Sequence, residues 1–442
     1  MTSEPSSIRS PPRPGDEAAR HRAGPARPWG PSERRSSAPA GPHPAVTGLL
    51  LAGIGVVLGV ALATSRRRSG RPSEDATRSG PPRPILYRPE VEQVEPDEQA
   101  TFERIAAVMA ASGRITRERH GRAVRTSHAK AHGLLGGELR VLEGLAPELR
   151  QGLFARGGTY PVVVRLAHVP GELLDDRTVS CPRGLAIKVL GVEGEMIPPH
   201  RGERTQDWVL DTGRTFIAPG AKTFLAQISA TDAALPLPEA VKGAVSRASR
   251  AANAALNAVG LDSANLDFYG HPALHPLGES YFSQTAMRYG DHVAKLGVFP
   301  DTRALQALIG RTLDLRDRDG LRGAVVEFFR ANPAEYVVGI QLCTSLERMP
   351  VEDASVEWPE DESPYRPVAR LVLPAQDAYA PELVDLVDES LSFCPAHSLE
   401  AHRPLGSINR ARMHVYEVLG RARREANGRP LREPHGPAEA AA

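Results

Sequence analysis

Cysteine is scarce: only three, Cys181, Cys343 and Cys394, occur in 442 residues. Their odd number and wide spacing exclude a disulfide framework and a CxxC metal site, so no structural metal is expected. An excess of either charge is also missing, since 54 Lys and Arg stand against 53 Asp and Glu. That balance gives no footprint for nucleic acid or an acidic substrate. There is no internal repeat, and residues 1–44 lack apolar periodicity. Rich in Pro, Ser, Gly and Arg, they cannot offset the entropy of ordering and read as disordered.

One long apolar run is present. Ala45 to Thr64 carries no charge over twenty residues, the length a helix needs to cross a hydrocarbon layer of roughly 30 Å. A buried core helix is a weak alternative, because no core pattern adjoins the run. A cleaved leader finds support in Arg34-Arg35 and the small-residue site Ala61-Leu-Ala63, but Arg66-Arg67-Arg68 follows directly and favours a membrane anchor. Six arginines in the twenty residues after the run, against three in the twenty before, place the following domain in the cytoplasm by the positive-inside tendency, with a periplasmic or extracellular face left open. Gly55 and Gly59 have the small-xxx-small spacing of packed membrane helices, a spacing common in such helices without a partner.

Residues 65–95 read as a linker, basic, then Pro-rich, then acidic, and the folded domain as 96–427 with a disordered tail over 428–442. Phe102, Ile105 and Met109 share a helical face behind Asp97 and Glu98, with Gly113 as the stop. Short β-runs follow at Leu139–Leu145, Tyr160–Val169, Leu185–Val192, Trp208–Thr212, Val293–Val298, Tyr336–Leu342 and Val368–Leu373. Helices are expected over Glu239–Ala258 and Pro381–Leu391, and from Ser407 through Tyr416. The pattern is α+β: an antiparallel, strongly bent sheet or barrel with inserted and C-terminal helices.

Three motifs follow one another: Arg125-Thr-Ser-His128-Ala-Lys-Ala-His132-Gly, Pro161-Val-Val-Val-Arg165-Leu-Ala-His168, and Cys181-Pro-Arg183-Gly184-Leu-Ala-Ile-Lys-Val. A fourth lies near the C-terminus, where Arg412, Tyr416, Arg421 and Arg423 stand in the order R-x-x-x-Y-x-x-x-x-R-x-R. Over about Pro96 to Asn427 the chain resembles the heme catalases and their catalase-like relatives. His402 to Arg412 (HRPLGSINRAR), Pro350-Val-Glu-Asp and Gln341 look most like the shorter, catalase-related peroxidase branch.

The resemblance implies heme b as cofactor and a small-molecule peroxide as substrate. Tyr416 would ligate the iron as tyrosinate, the axial ligand of catalase heme. A free tyrosine has a pKa of about 10, so Arg412, one turn earlier, would help hold the phenolate. Arg125, Arg165 and Arg423 would hold the heme carboxylates with forked donors, and Phe224 would stack on the ring. Read alone, each of these is as easily a core aromatic or a surface arginine. His128 would carry protons between the peroxide oxygens as neutral imidazole.

The chain departs from the family at the partner of that histidine. Asp211 stands where the family has asparagine, an alignment that can slip to Thr212, and Ala167 replaces a hydroxyl residue. An anionic Asp211 would raise the pKa of His128 and favour imidazolium, giving peroxidase-like turnover rather than fast disproportionation. His132 and His168 fall where the family has small or hydroxyl residues, as pocket substitutions or surface positions. Two other functions stay open: rearrangement of lipid hydroperoxides, and a non-catalytic heme-binding module for storage, sensing or delivery. A homo-oligomer also stays open.

Overall fold

A computed structural model describes residues 66–67, 83–232, 237–258 and 261–434. The segment expected to be disordered over 1–44 and the span expected over 45–64 lie outside the described residues. Among the described residues no helix is long and apolar enough to cross a membrane.

Nine strands form one antiparallel sheet: β1 (Ala131–Val141), β2 (Gly158–His168), β3 (Arg183–Leu190), β4 (Thr205–Asp211), β5 (Tyr281–Phe282), β6 (Met287–Tyr289), β7 (His292–Pro300), β8 (Ala334–Leu342) and β9 (Arg366–Leu373). Their order is β8-β9-β1-β2-β3-β4-β5-β7-β6, and a further pairing of β7 with β8 closes the first eight into a barrel. Closure removes the edges that an open sheet would expose.

Period-two alternation divides the strands between two environments. Val162, Val164 and Leu166 of β2 point into the barrel with Leu185, Ile187 and Val189 of β3 and Trp208 and Leu210 of β4. Each such side chain contributes about 1.5–3 kcal/mol when fully buried. The intervening residues, including Arg165, Ala167, Gly184, Ala186, Lys188, Asp207, Val209 and Asp211, face outward, where Val163, Ala186 and Val209 join a second apolar cluster.

Helices α1 (Glu98–His120), α2 (Ala221–Asp232), α3 (Glu239–Ala258), α4 (Ala264–Gly270), α5 (Gly320–Phe329) and α6 (Ser407–Asn427) surround this barrel. Phe102 and Ile105 of α1, Ala221 and Leu225 of α2 and Ala411 and Val415 of α6 pack into one cluster, while Val325 and Phe329 of α5 enter the barrel core.

Several expectations are corrected. Helix α1 does not stop at Gly113 but runs to His120 and ends at Gly121, whose φ of 70° is left-handed. Gly113 instead allows close approach, since a Cβ there would lie 2.8 Å from Thr126 Cγ2. The helix expected over Pro381–Leu391 is one α-turn, Pro381–Leu383, followed by a π-helical stretch, Val384–Ser390. The folded body also reaches beyond 96–427. Before it, the Ile85 and Tyr87 N–H groups donate to the carbonyls of Cys343 and Asp291, and both side chains pack on the barrel's flank. After it, Glu433 pairs with buried Lys188 at 2.9 Å.

Barrel closure depends on close contact between β1 and β9 at Gly137, where an added Cβ would strike the Val372 carbonyl oxygen and lie 2.7 Å from Leu373 Cδ2. Gly137→Ala is expected to cost about 1–3 kcal/mol, read as a lower urea midpoint. Gly323→Ala in α5 meets nothing within 4 Å and is expected to raise the midpoint, by about 0.5–1 kcal/mol.

Candidate active site

A slit lies between the outward face of β2–β4 and helix α6. Arg165, Ala167, Gly184, Ala186 and Val209 form the barrel wall, and Val415, Tyr416, Leu419 and Arg423 the helix wall. Val415, Leu419 and Arg423 recur every four residues and Tyr416 stands three before Leu419, so the four lie along one side of the helix. Leu391, Phe393 and Met109 contribute further apolar lining. Counting its open mouth, the slit holds about 790 Å³ between atoms. That volume lies in the usual range for ligands.

On the barrel wall, His128 sits over Gly184. A Cβ on that glycine would lie 2.5 Å from His128 Cε1 and Nδ1, so the Pro-Arg-Gly motif supplies the space the imidazole occupies. Gly184 pairs with Ala167 on one side and Asp211 on the other, so residues with little or no side chain stand on two strands beneath the ring. The His128 backbone has a φ of 55°, a left-handed conformation that costs a residue with a side chain on the order of 1–3 kcal/mol. Its N–H donates to the Val169 carbonyl at 2.8 Å.

Burial, reinforced by Arg165, Arg412 and Arg125, pushes the His128 pKa down to about 3. The imidazole is neutral at pH 7, the reverse of the imidazolium expected from Asp211. That carboxyl is itself perturbed: burial, opposed by Arg412, raises it to about 7. Strand parity places Asp211, with Val209, on the outward face. Thr212 instead accepts a hydrogen bond from the Arg183 N–H at 3.3 Å.

Tyr416 faces the slit, and its hydroxyl makes no hydrogen bond among the described residues. Burial raises its pKa, while the Arg412 guanidinium pulls it down. Arg412 does not line the slit. It donates to Gln284 Oε1 at 3.2 Å and Thr285 Oγ1 at 3.4 Å, 5.0 Å over the Phe216 ring.

Three arginines meet at one end. Arg165 donates to Asp388 Oδ1 at 2.9 Å and Arg125 to the same oxygen at 3.0 Å. Arg125 also reaches the carbonyls of Asp388, Val387 and Leu391, and Arg423 those of Asp388 and Glu389. The π-helical stretch and Leu391, which caps it, supply these acceptors. Burial works to raise the Asp388 pKa, but Arg165 and Arg125 outweigh it and hold the carboxylate ionised. Arg165 and Arg125 share the Asp388 carboxylate, Arg423 bonds only to carbonyls, and Arg424 also lines the slit, so guanidiniums outnumber carboxylates at this end, which suits an anionic guest. Asp388 belongs to no motif, and its place among the arginines is visible only in three dimensions.

The other sequence candidates lie elsewhere. Phe224 packs among α1, α2 and α6, its ring centre 5.1 Å from that of Phe216, and does not line the slit. His132 and His168 are neither surface residues nor slit residues: both are buried, in edge contact at 5.7 Å. His168 Nε2 lies 2.6 Å from the Glu172 carbonyl oxygen.

No protein-family model matches the chain, and no curated protein matches its sequence. Among solved structures it is similar to a fungal catalase at 18% identity, with 70% of this chain and 61% of that chain covered and a TM-score of 0.49. It is similar to catalase A from Saccharomyces cerevisiae at 16% identity, covering 82% and 70% with a TM-score of 0.48. A bacterial catalase shares 17% identity over 83% and 71% with a TM-score of 0.48. The chain thus spans about three fifths of the length of the fungal protein.

Asp388→Asn removes the carboxylate shared by buried Arg165 and half-buried Arg125 and is expected to cost about 3–5 kcal/mol at neutral pH. Because the folded pKa of Asp388 is depressed, this stabilisation is present above the unfolded carboxylate pKa and lost as pH falls through the folded one. Urea unfolding of variant and wild type should therefore differ most near neutrality and converge in acid.

Proposed function

We propose that this chain is a heme b-dependent oxidoreductase that consumes peroxides, with the slit as its heme site. The observation that carries this reading is the meeting, in one largely apolar slit, of an unpartnered phenol, a neutral imidazole and three arginines of which two share a single carboxylate. Bound there, heme would supply iron redox chemistry and O–O bond cleavage. Tyr416 would hold the iron through its phenolate, with Arg412 offsetting the negative charge. Arg125, Arg165 and Arg423 would bind the heme carboxylates as forked donors.

His128, neutral at working pH, accepts a proton from one peroxide oxygen and returns it to the other. Asp211 adjusts this exchange. With a proton it can donate a hydrogen bond, as an amide does, and without one it only accepts. Ala167 offers no hydroxyl near His128. These two departures support peroxidase-like turnover of hydrogen peroxide or an organic hydroperoxide over fast disproportionation. The uncharged run 45–64 supports anchoring to a membrane, with the arginine bias favouring a cytoplasmic barrel. A heme-binding module without peroxide chemistry is the alternative, which retains Tyr416 and the arginines but needs no proton carrier.

His128→Ala is expected to keep heme and lose about 10²–10⁴-fold in peroxide consumption. Heme-loaded wild type that consumes neither hydrogen peroxide nor an organic hydroperoxide would favour the binding module. Asp211, with a pKa of about 7, is protonated below that pH and ionised above it, so turnover should decline as pH rises through 7. Asp211→Asn should remove that decline and exceed the wild type above pH 8, followed as initial rates across a buffer series.

A further inference from the structure

A second group of ligating side chains lies on the same outward face of the barrel, and the peroxide chemistry makes no use of it. His200 and Glu203 come from the turn between β3 and β4, His397 from the segment leading into α6, and Glu417 from α6 itself. His200 Nε2 lies 2.9 Å from Glu417 Oε1, and its Nδ1 2.8 Å from Glu203 Oε1. His397 Nδ1 lies 3.0 Å from Asp207 Oδ2. Its Nε2 makes no hydrogen bond among the described residues and faces Glu203 Oε2 at 3.8 Å, although the His397 side chain is only 4% exposed. Glu203 Oε2 is likewise buried without a hydrogen bond. Potential ligand atoms of His200, Glu203 and His397 all lie within 4.8 Å of one another.

His397 Nε2 and Glu203 Oε2 face each other at 3.8 Å, too far for a direct hydrogen bond, which leaves both lone pairs turned toward the space between them. Each histidine is braced by a carboxylate on one ring nitrogen and turns the other toward Glu203, which is how metal-bound histidines are oriented by the groups behind them. Charge points the same way. Glu203, Asp207, Glu417 and Glu433 contribute four carboxylates, and Lys188, at 2.8 Å from Asp207 and 2.9 Å from Glu433, one ammonium. Against burial, Glu203 and Glu417 raise the His200 pKa to about 9, which adds a second positive charge, so the group carries two negative charges in excess, and a divalent cation that displaces the His200 proton leaves one.

We propose that His200, Glu203 and His397 bind one divalent cation of the zinc class, with water as fourth ligand and Glu417 and Asp207 bracing the two imidazoles. Zinc–nitrogen distances of about 2.0–2.1 Å require the three side chains to draw together. The Glu203 side chain, 29% exposed, gives the ion a path from solvent. Glu417 follows Tyr416 directly, so the bound ion fastens α6 to the β3–β4 turn beside the residue that faces the slit.

The test is titration of the chelator-treated full chain with zinc chloride by calorimetry, with zinc-edge X-ray absorption on the loaded protein. The expected result is one zinc per chain, a shell of nitrogen and oxygen without sulfur, and a zinc-dependent rise in melting temperature. His200→Ala and Glu203→Gln should each weaken binding at least tenfold. Glu203→Gln keeps the side-chain shape and so separates loss of a ligand from misfolding. Tyr416→Phe should leave zinc binding unchanged, since this site does not depend on heme. Absence of saturable binding, a sulfur ligand, or equal affinity in folded Glu203→Gln and His200→Ala would overturn the proposal.

Discussion

Arg125, Arg165 and Arg423 are brought together around Asp388 from a loop, a strand and the last helix, and the acceptor sits on a π-helical stretch. Burying three guanidiniums is tolerable only because one carboxylate and a set of outward-turned carbonyls satisfy them. The same positive field reaches His128, where burial together with Arg165, Arg412 and Arg125 keeps the imidazole unprotonated. The groups that would hold an anionic guest thus also keep the proton carrier in its basic form.

The barrel supplies the frame for this arrangement. Its inward residues fill a core, and the outward residues of β2–β4 are free to carry charge because α6 and the segment before it cover them. Tyr416 and Glu417 are neighbours on α6, and one faces the slit while the other faces the His200–His397 cluster. A single helix register therefore sets both sites.

Much of the frame was legible in the sequence. The strand expected at Tyr160–Val169 coincides closely with β2, because Val162, Val164 and Leu166 keep an uninterrupted period of two, and α3 has the expected bounds. The first half of β1 was not legible: Gly133, Gly136 and Gly137 lower strand propensity, while Gly137 allows close approach to β9 and Gly133 makes room for Val325 of α5. Gly113 misleads for a related reason, since it makes room for Thr126 rather than ending a helix. At the site, His128, Tyr416 and the arginines converge as the motifs indicate. Asp388 and the His200–Glu203–His397 cluster could not be read, because their members come from distant segments and have no common spacing. Nor could the sign of the His128 shift, which depends on burial and the arginines more than on Asp211.

The central claim is that the slit takes one heme with Tyr416 on the iron. Equilibrium titration of heme into wild type and Tyr416→Phe, followed by visible absorption, tests it most directly. Uptake of one heme per chain, with a band pattern that changes when Tyr416 becomes Phe, is the predicted result. No uptake by the wild type, or identical spectra for the two proteins, would contradict it.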